Sequence, residues 1–164
     1  MTDVDSTPSF GCASAGHRVL HANGLRLHAL EWGAPGIPGL LFLHGGSAHC
    51  HWFDAAAPVF ADRFHVLALD QRGHGESQWP DPPAYRTQDF CEDLLGVMAA
   101  LGWEQVVLVG HSMGGHNAMA FAAWHPDRVR ALVIADSRPS IPAERLSNMQ
   151  ARGYRPLRTY DSPE

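Results

Sequence analysis

Ser112 is the side chain in this sequence best placed to act as a nucleophile. It lies in the run Val106-Val107-Leu108-Val109-Gly110-His111-Ser112-Met113-Gly114-Gly115. An apolar strand leads directly into Gly-x-Ser-x-Gly, and a helix of small residues follows. This order puts the serine on a tight strand-to-helix turn with its hydroxyl clear of the sheet. Glycine is expected at 110 and 114 because a side chain at either position would crowd the reversal. The free N–H groups of the helix's first turn then lie under the serine and can stabilise an anion formed there. Serine is a poor nucleophile at neutral pH, so the chemistry also calls for a base, normally a histidine oriented by a carboxylate.

The chain has eleven histidines, which raises the question of a metal. The densest cluster is His49-Cys50-His51, and residues two apart do not share a helix face. No HExxH, HxxEH or Cys/His zinc spacing occurs, so no metal site is expected. His44 and His74 sit in glycine-flanked loops and read as loop-shaping residues. His111 precedes the serine, where a side chain points away from it. Trp52, Phe53 and Trp79 fit either a pocket lining or apolar packing. Met113 and His116 are pocket candidates through adjacency alone.

A chain of 164 residues fits one domain with a fair-sized core. Its net charge of -5 and lack of a basic run argue against a nucleic-acid partner. Cys12, Cys50 and Cys91 are widely spaced, odd in number and without CxxC, as expected of reduced thiols in a cytoplasmic protein. The polar, acidic N-terminus has no apolar core of the signal-peptide type. No apolar run reaches the roughly 18 residues of a membrane span.

The elements that must position Ser112 follow from periodicity and turn chemistry. Residues 1–16 read as a flexible segment. His17–Ala22 and Leu25–Trp32 flank Asn23-Gly24 and predict a β-hairpin. Leu40–Leu43 predicts a strand ending in His44-Gly45-Gly46-Ser47. A helix is expected around Trp52–Phe60, interrupted at Pro58, and then a strand over Phe64–Leu69. Thr87 is a candidate N-cap for a helix whose buried stripe is Phe90, Leu94, Val97, Met98 and Leu101, closed by Gly102. Asn117–Trp124 predicts another helix, Ala131–Ala135 another strand, and Ala143–Ala151 a short helix. Continuous apolar strands separated by helical patterns predict an α/β fold, a doubly wound and mostly parallel sheet.

Together these pieces resemble the α/β-hydrolase family. The resemblance rests on the initial hairpin, Leu43-His44-Gly45-Gly46, Asp70-Gln71-Arg72-Gly73-His74-Gly75-Glu76-Ser77 and Gly110-His111-Ser112-Met113-Gly114-Gly115. It covers roughly Arg18 to Pro139. A lone GxSxG is weak, but in this order and spacing the set is specific. The resemblance implies Ser112 as nucleophile and the backbone N–H groups of Met113 and Gly46 as the oxyanion hole. Such a donor is worth about 3–4 kcal/mol in the transition state. It implies no cofactor and a small-molecule substrate, an ester or related acyl compound. Carboxylesterase, lactonase, carbon–carbon bond hydrolase and perhydrolase-like activities all fit. Aspartate at the nucleophile position would have pointed to an epoxide hydrolase or haloalkane dehalogenase, and Ser112 disfavours both.

The chain departs from the family pattern toward its end. The family's catalytic histidine follows the last strand, and no Gly-His segment is found near Glu164. Asp136, after the sixth strand, is a candidate acid from a position that a minority of the family uses; it equally fits a strand-end turn residue. His116 and His125 follow the serine on a helix expected to carry them away from the site. The expectation is an incomplete hydrolase core over 17–139 with the start of a lid over 140–164. Leu132, Val133 and Ile134 would then line an uncovered sheet edge, available for self-association. The rival reading is a non-catalytic fragment or interaction module that keeps the elbow but lacks the triad histidine.

Overall fold

In a computed structural model of the chain, the structure describes residues 14–140. The expected lid segment beyond 140 and the helix at Ala143–Ala151 lie outside the described residues, as does nearly all of the N-terminal segment.

Asn23 and Gly24 take positive φ, 49° and 74°, the twist that a two-residue hairpin turn requires. Strands β1 (Gly16–Ala22) and β2 (Leu25–Trp32) therefore pair antiparallel. They extend a sheet whose other members are β3 (Gly39–Leu43), β4 (His65–Leu69), β5 (Val106–His111) and β6 (Val129–Ala135). The order is β1-β2-β4-β3-β5-β6. β2 meets β4 antiparallel, and β4, β3, β5 and β6 run parallel. β3 and β4 are buried at every residue, the reason they read as unbroken apolar runs.

Alternating side chains of these strands feed two cores. Leu41, Leu43, Leu67, Leu69 and Leu108 pack with Leu94, Val97, Met98 and Phe121 on one face. Leu40, Phe42, Val66 and Ala68 pack with Cys50, Phe53 and Ala57 on the other. The first face is covered by helices α1 (Thr87–Leu101) and α2 (Met113–Trp124). The second is covered by two 3-10 turns, Cys50–Phe53 and Ala57–Phe60, where a helix over Trp52–Phe60 was expected. Pro58 brings no N–H to the second turn, and burial of Cys50, Phe53 and Ala57 holds each turn separately against the sheet.

The α1 stripe matches its periodicity, but Thr87 is the first helical residue and not the cap. Arg86 flanks the helix, and its N–H donates to Asp89 Oδ2 at 2.7 Å. Gly102 ends α1 at φ 68°, and the Trp103 N–H returns to the Met98 carbonyl at 2.9 Å, a left-handed C-terminal closure. α2 begins at Met113, four residues before the stretch its composition marks, because Gly114 and Gly115 are weak helix formers used for close packing. Among the described residues β6 is an edge strand. Leu132 is 36% exposed and Val133 51% exposed, as expected of that edge, whereas Ile134 is partly covered by the first core.

The loop after β4 is tied to α1 by a buried ion pair. Arg72 Nε and Nη2 donate to the two Asp93 oxygens, both at 2.6 Å. The Asn23 amide adds a bond at 3.2 Å, so hairpin, loop and helix meet at one carboxylate.

Candidate active site

From β3 the chain moves outward to β4, then returns over β3 to β5. The strand order therefore reverses between β3 and β5, and in parallel sheets such a reversal opens a crevice at the carboxyl ends of the strands. Leu43 pairs with Gly110 there, which brings the His44-Gly45-Gly46 loop and Ser112 side by side at that end of the sheet.

Ser112 sits at φ 50° and ψ −113°, outside the regions L-residues prefer. Such a conformation costs about 1–3 kcal/mol and persists only where neighbours impose it. Here its N–H donates to the Ala135 carbonyl at 3.1 Å, and its carbonyl accepts from the His116 N–H at 3.1 Å. The Ser137 hydroxyl donates to the same carbonyl. The glycines fit the expected crowding. A Cβ on Gly110 would lie 2.5 Å from the Gly114 carbonyl oxygen, and one on Gly114 would overlap the Leu43 carbonyl oxygen. Gly45 matters as much: a Cβ there would meet Ser112 Cβ at 3.2 Å and His111 Nδ1 at 2.9 Å. The loop backbone therefore lies directly against the serine.

Met113 opens α2 immediately after Ser112. Gly46 is exposed one residue beyond Gly45, and a Cβ there would meet nothing within 4 Å. Asp136 is exposed at φ 48°, next to the Ala135 carbonyl that holds the Ser112 N–H. All four expected site residues thus lie at the carboxyl end of the sheet, after β3, β5 and β6.

His44 shapes its loop, as its setting suggests. It is fully buried; Nδ1–H donates to the Gly45 carbonyl at 2.8 Å, and Nε2 accepts from the Gln71 N–H at 3.1 Å. The Gln71 side-chain amide donates to the His44 carbonyl at 2.7 Å and accepts from the Asn117 amide at 2.8 Å. The Gly114 N–H also donates to the His44 carbonyl, at 3.1 Å. One network so fixes the β3 loop, the β4 loop and α2 around Ser112.

Gly45, Gln71, Asn117 and Ser137 are positioning residues that motif and spacing do not mark. Asn117, a poor helix former inside a helix, was the one visible signal. His111 stacks on Trp52 with ring centroids 5.4 Å apart, while Phe53 is buried in the second core and Trp79 is exposed. His116 does not leave the site edge as expected. Its position one turn into α2 keeps it beside the loop after β6, where Nε2 bonds the Arg138 carbonyl at 2.7 Å. His125 lies at the far end of α2 against Phe121.

Burial depresses the His44 pKa below its ordinary 6.5. The unfolded chain therefore binds a proton near pH 6.5 that the folded chain refuses, so stability falls as pH drops from 6.5 toward the depressed value. The slope from this one group is at most about 1.4 kcal/mol per pH unit. Urea unfolding between pH 7.5 and 5.5 should show that loss, and His44→Asn should flatten it; equal slopes in both proteins would refute the assignment.

A family model described as alpha/beta hydrolase fold matches residues 38–161, and the chain belongs to that family. It is 38% identical over 115 residues to the 2-(acetamidomethylene)succinate hydrolase of Mesorhizobium japonicum, covering 70% of this chain and 41% of that protein. It is 37% identical over 136 residues to epoxide hydrolase A of Mycobacterium tuberculosis, covering 82% and 42%. The crystal structure of E-2-(acetamidomethylene)succinate hydrolase superposes with a TM-score of 0.78 at 34% identity, covering 85% of this chain and 51% of that one. The chain spans about two fifths to half the length of these relatives. Among the described residues no helix is long and apolar enough to cross a membrane.

Proposed function

We propose that this chain carries the nucleophile and oxyanion half of a serine hydrolase acting on a small ester or related acyl substrate. The observation that carries the reading is Ser112, held at positive φ on the strand-order reversal with the Gly45 backbone packed against it. In this reading Ser112 Oγ attacks the acyl carbon and passes its proton to a base. The carbonyl oxygen gains negative charge and is held by the Met113 and Gly46 N–H groups, at the N-terminal end of α2 where the helix dipole favours an anion. On collapse the base returns that proton to the leaving alcohol or amine, which departs and leaves an acyl-serine that water then hydrolyses to the free acid. Asp136 is the candidate acid of this set, standing at the end of β6 beside the Ser112 amide's acceptor.

His44 is occupied at both ring nitrogens and His116 is bonded to the Arg138 carbonyl. Neither is offered as the base, which this reading places outside residues 14–140. We propose residues 17–139 as the first part of a hydrolase core and 140–164 as the start of its lid. The relatives include proteins named epoxide hydrolase and one named fluoroacetate dehalogenase, but serine at the elbow favours acyl transfer. The relative named 2-(acetamidomethylene)succinate hydrolase adds acyl–nitrogen bonds to esters as substrate chemistry. Two free, buried cysteines support a reducing, cytoplasmic setting, and the exposed Leu132 and Val133 support pairing of β6 with another chain.

A fluorophosphonate probe applied to the 164-residue chain tests the reading. Slow covalent labelling that disappears in Ser112→Ala is expected, because oxyanion donors retain a residual effect on the serine where the base is missing, with p-nitrophenyl acetate separating a reactive serine from turnover. A folded wild-type protein that takes no label would leave the interaction-module reading in its place.

A further inference from the structure

A second cluster of chemistry-bearing side chains lies apart from Ser112, where the first hairpin meets the loop after β4. His28, on β2, is 2% exposed, and its Nδ1 lies 2.8 Å from Asp70 Oδ2. A carboxylate only accepts, so the His28 proton sits on Nδ1 and Nε2 keeps its lone pair, which accepts the His17 Nδ1–H. That lone pair points toward His17 Nδ1, 2.9 Å away. The hairpin register pairs Val19 with His28, so His17 is the diagonal neighbour on the same face. Glu76 closes the group: His17, His28 and Glu76 each bring a ligand atom to within 4.8 Å of the others.

We propose that His17 Nδ1, His28 Nε2 and the Glu76 carboxylate form a site for a zinc-type divalent cation, with Asp70 as the outer partner that orients His28. Two imidazoles and one carboxylate are a donor set that zinc accepts, leaving a fourth position for water. A carboxylate behind a ligating histidine fixes its tautomer and raises its basicity, and the Asp70–His28 pair has that arrangement. The Glu76 backbone is held from both sides, its N–H by Asp70 Oδ2 at 3.0 Å and its carbonyl by Arg26 Nη2 at 3.0 Å. Its side chain can therefore act without disturbing the loop. Tetrahedral zinc with bonds of about 2.1 Å sets ligand atoms about 3.4 Å apart. The histidines need to part slightly, which exposed His17 can do by side-chain rotation, moving its own proton to Nε2 through solvent.

The neighbouring trio His28, Cys50 and Asp70 also converges but is already committed. Asp70 accepts from the Cys50 N–H at 2.7 Å and from the Glu76 N–H as well as from His28. Burial, with Asp70 beside it, pushes the Cys50 thiol up to about 12, so no thiolate is offered. No spacing rule finds the proposed trio, because its members lie in three separate segments.

Calorimetric titration of the 164-residue chain with zinc chloride tests the site. One equivalent should bind, EDTA should reverse it, and His17→Ala and Glu76→Gln should each weaken it by about tenfold or more. Both substituted residues are exposed, and circular dichroism establishes that each variant is folded. His51→Ala, at an exposed histidine outside the cluster, and Ser112→Ala should bind as the wild type does, which separates this site from the hydrolase reading. Cobalt chloride should give a visible spectrum without a thiolate charge-transfer band. Binding unchanged in both cluster variants, no binding in the wild type, or a thiolate band would each overturn the proposal.

Discussion

Gly114→Ala is expected to slow fluorophosphonate labelling of Ser112 by about a hundredfold, the penalty typical of a 1 Å misplacement at a reacting centre. The added methyl would overlap the Leu43 carbonyl oxygen and lie 2.7 Å from the His44 carbonyl oxygen. Both are main-chain atoms of buried residues, so neither can rotate aside. α2 must instead retreat from β3, stretching the Gly114 N–H bond to His44 and carrying the Met113 N–H away from the loop. Overpacking of this kind also costs about 1–3 kcal/mol of stability. Gly16→Ala on β1 is the matched control, since its methyl lies 3.7 Å from its nearest neighbour, the Glu31 carbonyl oxygen, and away from the serine. Labelling rates for the two variants, read beside their melting temperatures, decide the matter. A Gly114→Ala protein that labels at the wild-type rate would show that the elbow does not depend on this contact.

Asp93→Ala is expected to destabilise the fold by about 3–5 kcal/mol, because removing one partner strands a buried charge. Total stabilities run about 5–15 kcal/mol, so this one carboxylate decides whether the protein is well folded. Arg72 and Asp93 side chains are each 3% exposed. With Asp93 gone, the guanidinium keeps the Ala84 carbonyl at 2.8 Å and the face of Phe90, neither of which neutralises it. The intact pair is not a large net gain: burial holds the Asp93 carboxyl above its ordinary pKa even with the guanidinium beside it. The double variant Arg72→Met with Asp93→Leu should therefore recover most of the loss, as apolar replacements of buried pairs often do. Urea titration followed by circular dichroism measures both. A single variant within 1 kcal/mol of wild type, on the order of an ordinary surface change, would refute the argument.

Some of this molecule was legible without coordinates. The Asn23-Gly24 turn, the α1 stripe closed by Gly102 and the Gly110–Gly114 elbow each depend on the backbone preferences of a few adjacent residues or on a repeat within one element. Each appears where its residues place it. The helix expected over Trp52–Phe60 failed because apolar content there serves two short turns that dock separately, and periodicity does not distinguish them from one helix. Thr87 failed as a cap by one position, where Asp89 reaches back to the Arg86 amide.

The elbow at Ser112 and the strands and helices that carry it are written along the chain, in local backbone geometry and hydrophobic period. That Gly45 lies against that serine, that Gln71 and Asn117 brace the loop through His44, that Ser137 clamps the Ser112 carbonyl and that His17 faces His28 and Glu76 emerges only on folding. Those contacts join separate segments: the ones around Ser112 exist because β4, β3, β5 and β6 lie side by side in that order, and the His17 cluster because the β1–β2 hairpin lies against β4. That order is fixed by how all six strands bury their faces at once, a condition no single segment records.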